Sequence, residues 1–263
     1  EFGIRHRDRL WHINVEGTRT VIQAARAAGV PRVVHCSTSG ILSARGRLIT
    51  EQDFPGRPPM GCGYKRSKWH AEREALEAAR QGMDVVIASP TAPIGPGDDR
   101  PTPTGRMIVD LLNRRFPACS RTGINVVAVE DVARGLLAVA ARGERGQRYI
   151  LGHDNVWLDQ FLARVAAQLG VPAPRAWVPW LAVALGGIAA DAFSLCTGRG
   201  GGRLCWETAY FARQVQFFDL GRSRRDLGWT PTTELDAAIA GSVAWFSGRM
   251  AGTSSGSGTA PEA

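Results

Sequence analysis

Tyr64 and Lys68 stand four residues apart in the stretch "GYKRSKWHAE" (63–72), which also holds the chain's only lysines, Lys65 and Lys68. On a helix, positions i and i+4 share a face, so the Lys68 ammonium can lie beside the Tyr64 phenol. An ordinary tyrosine, with a pKa of about 10, is a poor base at neutral pH. A neighbouring cation favours phenolate. A phenol tuned in this way can take a proton from a substrate hydroxyl while a hydride leaves the same carbon. Arginine would supply charge, but its broad fork differs from a compact ammonium that can bond a ribose hydroxyl and sit under a phenol. In a chain that uses arginine nearly everywhere, Lys68 reads as chosen for geometry. Lys65 reads as part of a solvated helix face. Y-x-x-x-K alone is a common spacing, so its weight depends on what surrounds it.

Apolar residues at helical spacing predict a helix over 14–29, ended by Gly29 and followed by Pro31. The β-branched run "RVVHCS" (32–37) predicts a buried strand, 64–80 a second helix, and "DVVIASP" (84–90) the next strand. Further helices are expected over 104–115, with Thr102 or Thr104 as cap, and over 131–142; "INVVAV" (124–129) and "RYILG" (148–152) read as strands. This alternation predicts an α/β fold built on a doubly wound parallel sheet, with a smaller, mostly helical C-terminal lobe past Leu158. Ligands of such sheets sit beyond the carboxyl ends of the strands. Two such ends are visible, "CSTSG" (36–40) and "SPTAPIGPGD" (89–98), both rich in small, hydroxyl, Gly and Pro residues.

The 263 residues, 44% hydrophobic, can bury a sizeable core. The formal charge of +8 could favour phosphates. The arginines are scattered, however, and no basic run carries interleaved aromatics, so nucleic acid is not expected and acidic small molecules are. Five widely spaced cysteines without a C-x-x-C pair point to a reducing compartment, with neither a disulfide frame nor a metal site. "AWVPWLAVALGGIAA" (176–190) is too short to span a bilayer, which takes about 20 residues. The preferred expectation is a packed helix, the second a helix lying against a membrane surface. No signal peptide is expected, and "EFGIRHRD" looks like a sequence entered partway through. The small polar residues from 249 onward predict a disordered tail.

"NVEGTRTVIQAARAAGVPRVVHCSTSG", "YKRSKWHAE", "SPTAPIGPGD" and "VAVEDVARG" occur in that order, and together they resemble landmarks of the extended short-chain dehydrogenase/reductase superfamily, the NAD-dependent epimerase/dehydratases. "PIGPGDDRPTPTGRMIVDLLN" and "RYILGHDN" are similar to its hopanoid-associated sugar epimerase branch, itself similar to dihydroflavonol reductases. The resemblance implies a Rossmann-type NAD(P)-binding domain over 1–157 with a substrate-lobe insertion at 93–122, and a substrate lobe over 158–248. It implies Tyr64 as catalytic acid/base, Lys68 as the residue that orients the nicotinamide ribose and lowers the tyrosine pKa, and Thr38 as the hydroxyl partner of the substrate. Ser37 is the next hydroxyl to consider. Pro90, Thr91 and Ala92 match the backbone that faces the nicotinamide, and Asn14 a cofactor-site asparagine or a helix-start cap. Thr102, Thr104, Arg106 and Asn125 fall where relatives hold substrate. The implied cofactor is NAD or NADP, the substrate a nucleotide-sugar or a sugar-derived hopanoid precursor, the location cytoplasmic, the assembly a homodimer through the helices near 15–28 and 64–80, and peripheral membrane contact is compatible with it.

Relatives of this kind open with a strand and a G-x-x-G-x-x-G turn over the pyrophosphate. Nothing of the sort precedes Asn14, and "TGRGGGR" (197–203) follows a helix, so it reads as a loop. The expectation is an N-terminally truncated chain that binds dinucleotide poorly. A dissociable NADPH reductase and a non-catalytic binding module are the alternatives.

Overall fold

A computed structural model describes residues 7–115, 118–174, 176–197 and 206–254. The helical run expected from residue 14 begins earlier. It comprises α1 (Arg7–Trp11), a π-helical turn (His12–Glu16) and α2 (Gly17–Ala27). Asn14 therefore sits inside a helical run and is not its cap. Next come β1 (Val33–Cys36), a 3₁₀ turn (Ser39–Ile41), α3 (Gly63–Arg80), β2 (Val85–Pro90), β3 (Ala92–Ile94) and α4 (Pro103–Leu112). They are followed by β4 (Ala118–Cys119), β5 (Gly123–Ala128), α5 (Val129–Arg142), β6 (Arg148–Leu151), β7 (Asp154–Trp157) and α6 (Leu158–Leu169). The rest comprises β8 (Ala176–Trp177), α7 (Trp180–Thr197), α8 (Trp206–Ala212), α9 (Gly221–Leu227) and α10 (Leu235–Ser254).

The principal sheet has the order β1-β2-β6, parallel throughout, with Cys36 opposite Ala88 and Ser89 opposite Ile150. β2 and β6 are buried at every position, which is why they consist of nearly unbroken apolar runs. α2 and α3 cover one face through Ile22, Ala75, Ala78 and Ala79 against Val85 and Ile87. α5 covers the other through Val132, Ala138 and Val139 against Val86, Ala88 and Leu151.

Apolar periodicity alone does not say which sheet a strand joins, and here the expectation needs correction. β5, the "INVVAV" run, is not a strand of the principal sheet. It lies between β3 (parallel) and β7 (antiparallel) in a second sheet, packed on α4, α6 and α10 through Ile108, Phe161, Leu162 and Ile239. The second sheet thus takes in β5 and β7, which lie beyond the insertion expected over 93–122. α10 continues to Ser254, past the expected start of the tail at 249. Residues 255–263 and most of "TGRGGGR" lie outside the described residues.

α7 packs as expected on one face only, against α8. Leu181, Leu185, Ile188 and Phe193 are 50–64% exposed on a helix that is apolar on all sides. Among the described residues, no helix is long and apolar enough to cross a membrane.

Candidate active site

The chain leaves β1 at Cys36, and its next two residues, Ser37 and Thr38, run beside α3. Three residues of this exit meet three residues of α3 spaced by four. Thr38 hydrogen-bonds the Tyr64 side chain. The Cys36 carbonyl accepts from Lys68 Nζ at 3.0 Å. The Ser37 hydroxyl donates to the Glu72 carboxylate. Positions 64, 68 and 72 fall on one helix stripe, so strand exit and helix are joined along two turns and Tyr64 is fixed relative to Thr38. Thr38 is extended, and its Oγ1 also accepts from Gly40 N at 3.1 Å, capping the 3₁₀ turn that carries the chain away.

Burial pushes the Tyr64 phenol above its ordinary range, and the Thr38 hydrogen bond opposes that rise. Burial likewise lowers the Lys68 ammonium, against the raising influence of Cys36 and Glu72. Lys68 therefore sits between two influences, burial that disfavours its charge and the neighbouring Glu72 carboxylate that favours it.

The helix is braced from both sides. Asn14 donates to Ser67 Oγ at 2.9 Å, and Ser67 Oγ donates to the Tyr64 carbonyl at 2.9 Å. Asn14 thereby reaches the Tyr64 turn through Ser67. On the sheet side, Glu72 is fully buried and pairs with Arg148 at the start of β6, whose Nε donates at 2.6 Å. Arg148 also donates to the Glu51 carbonyl at 2.8 Å, and its guanidinium lies 4.4 Å over the Phe54 ring.

Pro90 closes β2 next to the end of β1, and Thr91 and Ala92 follow it. Thr91 N donates to the Leu151 carbonyl at 3.0 Å. Beside it, Gly152 leaves no room for a side chain, because a Cβ there would meet Asn125 Oδ1 at 2.3 Å and the Thr91 methyl at 2.7 Å. Asn125, expected to face substrate, is buried and fully engaged. It donates to the His153 carbonyl and Asn155 Oδ1 and accepts from His153 N. Thr102 caps α4 by accepting from Gly105 N and donates to Asp98. Thr104 and the exposed Arg106 lie in the first two turns of the same helix, on the second lobe.

Lys65 overturns its expectation as a solvated residue. It is 3% exposed, its Nζ donates to Gln214 Oε1 at 2.6 Å, and it lies 4.7 Å over the Phe211 ring and 5.4 Å over that of Tyr210. Burial brings its pKa down to about 8. The two lysines of "GYKRSKWHAE" thus split their work. Lys68 faces the strand exit, and Lys65 holds α8 against the start of α3.

An open cavity of roughly 480 Å³ lies elsewhere, between α5 and the segment 228–232 that follows α9, and both of its arginines are already paired: Arg134 with Asp131 and Thr232, Arg142 with the Leu227 carbonyl.

The family model of the NAD dependent epimerase/dehydratase family matches residues 3–152. A candidate dihydroflavonol 4-reductase of Synechocystis sp. is 37% identical over 250 residues, covering 92% of this chain and 72% of the relative. Sterol demethylase protein B of Methylococcus capsulatus is 33% identical, covering 91% and 74%. Among solved structures, a nucleoside-diphosphate-sugar epimerase from Pseudomonas aeruginosa is similar at a TM-score of 0.76 and 30% identity, over 92% of this chain and 74% of that one.

Proposed function

This chain belongs to the NAD-dependent epimerase/dehydratase family, and on that premise we propose that it moves a hydride between NAD or NADP and a secondary alcohol or ketone carbon, with Tyr64 exchanging the proton. The observation that carries this reading is the joining of Thr38, Tyr64 and Lys68 at the carboxyl end of β1, where a sheet of this kind receives its ligand. The donor set suits the nicotinamide riboside end of a dinucleotide. Lys68 uses one proton on the Cys36 carbonyl and has two more for ribose hydroxyls. The backbone of Pro90, Thr91 and Ala92 would face the carboxamide. When bound, the nicotinamide supplies the hydride donor or acceptor.

Everything else falls to side chains. The Thr38 hydroxyl holds the substrate oxygen beside the phenol. Tyr64, raised by burial, is protonated at neutral pH and therefore begins as a proton donor, the role that ketone reduction requires. Lys68 stabilises the phenolate left behind. Thr104 and Arg106, on the second lobe, would meet the part of the substrate remote from the reacting carbon.

Two relatives are named for ring-bearing substrates, a dihydroflavonol and a sterol. The sterol name supports a lipophilic substrate, and the resemblance to the hopanoid-associated branch narrows it to a hopanoid bearing a sugar-derived side chain. A nucleotide-sugar epimerisation is the second reading, favoured by the likeness to the Pseudomonas epimerase. Homodimerisation through α2 and α3 belongs to either reading, with Ile13 and Val21 exposed on that side.

The test is Tyr64→Phe in the full chain at millimolar cofactor. Turnover should fall by about 100-fold or more, since positioned acid/base catalysis contributes 10²–10⁴, while NADH binding followed by nicotinamide fluorescence stays the same. Unchanged turnover would remove the assigned chemistry.

A further inference from the structure

α7 presents an exposed arc built on Leu181, Leu185, Ile188, Ala189, Ala192 and Phe193, without one charged side chain. The helix's single acid, Asp191, lies off that arc and accepts from Trp206 N at 2.9 Å. At the N-terminal end stand two exposed tryptophans, Trp177 and Trp180. Basic groups gather at the same end. Arg213 lies 5.5 Å over the Trp180 ring. Arg121 is exposed and flanked by Ser120 and Thr122, whose hydroxyls both bond the Ala212 carbonyl next to Arg213.

We propose that α7 docks the protein on an anionic lipid surface, its Leu181–Phe193 arc sunk among the acyl chains and the Trp177, Trp180 and Arg213 end held at the headgroups. An apolar arc, tryptophans at its border, arginines beside them and a net charge of +8 match a negatively charged bilayer in both hydrophobicity and sign. The helix lies on the surface, since it does not qualify as a span.

The placement connects the membrane to the candidate site. α8 packs against α7. Lys65, adjacent to Tyr64 in sequence, holds the end of α8 through Tyr210 and Phe211 and the turn beyond it through Gln214. Gly61 admits the Trp206 ring so closely that a Cβ would lie 3.2 Å from its Nε1. A lipophilic substrate leaving the bilayer at α7 would therefore arrive beside the first turn of α3. That last point rests on the function proposed above, whereas the docking itself does not.

The experiment is co-sedimentation of the full chain with vesicles of phosphatidylglycerol and phosphatidylcholine, and with vesicles of phosphatidylcholine alone. The wild type should bind the anionic vesicles more tightly. The double substitution Leu185→Glu with Ile188→Glu, at positions already exposed and so compatible with an unchanged melting temperature, should weaken binding at least about tenfold. Arg213→Glu should cost about fivefold or more on anionic vesicles and little on neutral ones. Absence of binding to either vesicle, or binding indifferent to the double substitution, overturns the proposal. A lipid-free dimer that the same substitution dissociates also overturns it and assigns the arc to a second copy. Tyr64→Phe should bind vesicles like the wild type, so loss of the assigned chemistry and loss of docking are read separately.

Discussion

His35 shows how one buried side chain couples this site to pH. It lies in β1 next to Cys36, and burial first, then the neighbouring Lys68 charge, brings its pKa down to about 3. Its Nε2 has no hydrogen-bond partner among the described residues. An unfolded histidine titrates near 6.5. Between pH 6.5 and 3 the unfolded chain binds a proton that the folded chain refuses, so stability rises with pH in that window. It is complete above 6.5 and lost as pH falls toward 3, by about 1.4 kcal/mol per pH unit once well below 6.5. Melting temperatures of the wild type between pH 7 and 4 should fall more steeply than those of His35→Leu. Parallel curves would show that His35 is not the titrating group. The neutral imidazole also spares Lys68 a second cation at close range, which helps the ammonium stay charged in a buried setting.

At the scale of elements, the decisive contact is α3 against the end of β1 and the start of β6. Breaking one partner of a buried ion pair typically costs 3–5 kcal/mol, because the survivor is left charged without compensation. Arg148→Met should therefore lower stability by about 3 kcal/mol or more, measured by urea unfolding, and Glu72→Gln with Arg148→Met should recover part of the loss. A double variant as unstable as the sum of both singles would show that the pair is not coupled. Much of this architecture is legible in the sequence. β2 and β6 are largely apolar because both their faces are covered, and α3 carries its Tyr64–Lys68 spacing openly. Glu72 continues that spacing by four more residues, a readable sign that the stripe has a third member. Arg148 gives no such sign, since its partner lies 76 positions away. Lys65 and Lys68 look alike in a helix read alone, and only α8, contributed from residue 206 onward, buries one of them. β5 is recognisable as a strand but not as a strand of the second sheet, because an apolar run matches any sheet with both faces covered.

At the scale of the whole molecule, the proposed site forms where the strand exit of β1 meets α3, and Lys68 is the group assigned to the nicotinamide ribose. Its Nζ donates one proton to the Cys36 carbonyl at 3.0 Å, which leaves two for ribose hydroxyls. Lys68→Met keeps the aliphatic stem and removes those donors. Hydrogen bonds to a charged group are worth about 1.5–3 kcal/mol, so calorimetric titration of the full chain should show nicotinamide mononucleotide bound at least about tenfold more weakly by the variant. Equal affinity in wild type and variant would mean that Lys68 does not reach the ribose, and its role would have to be reassigned.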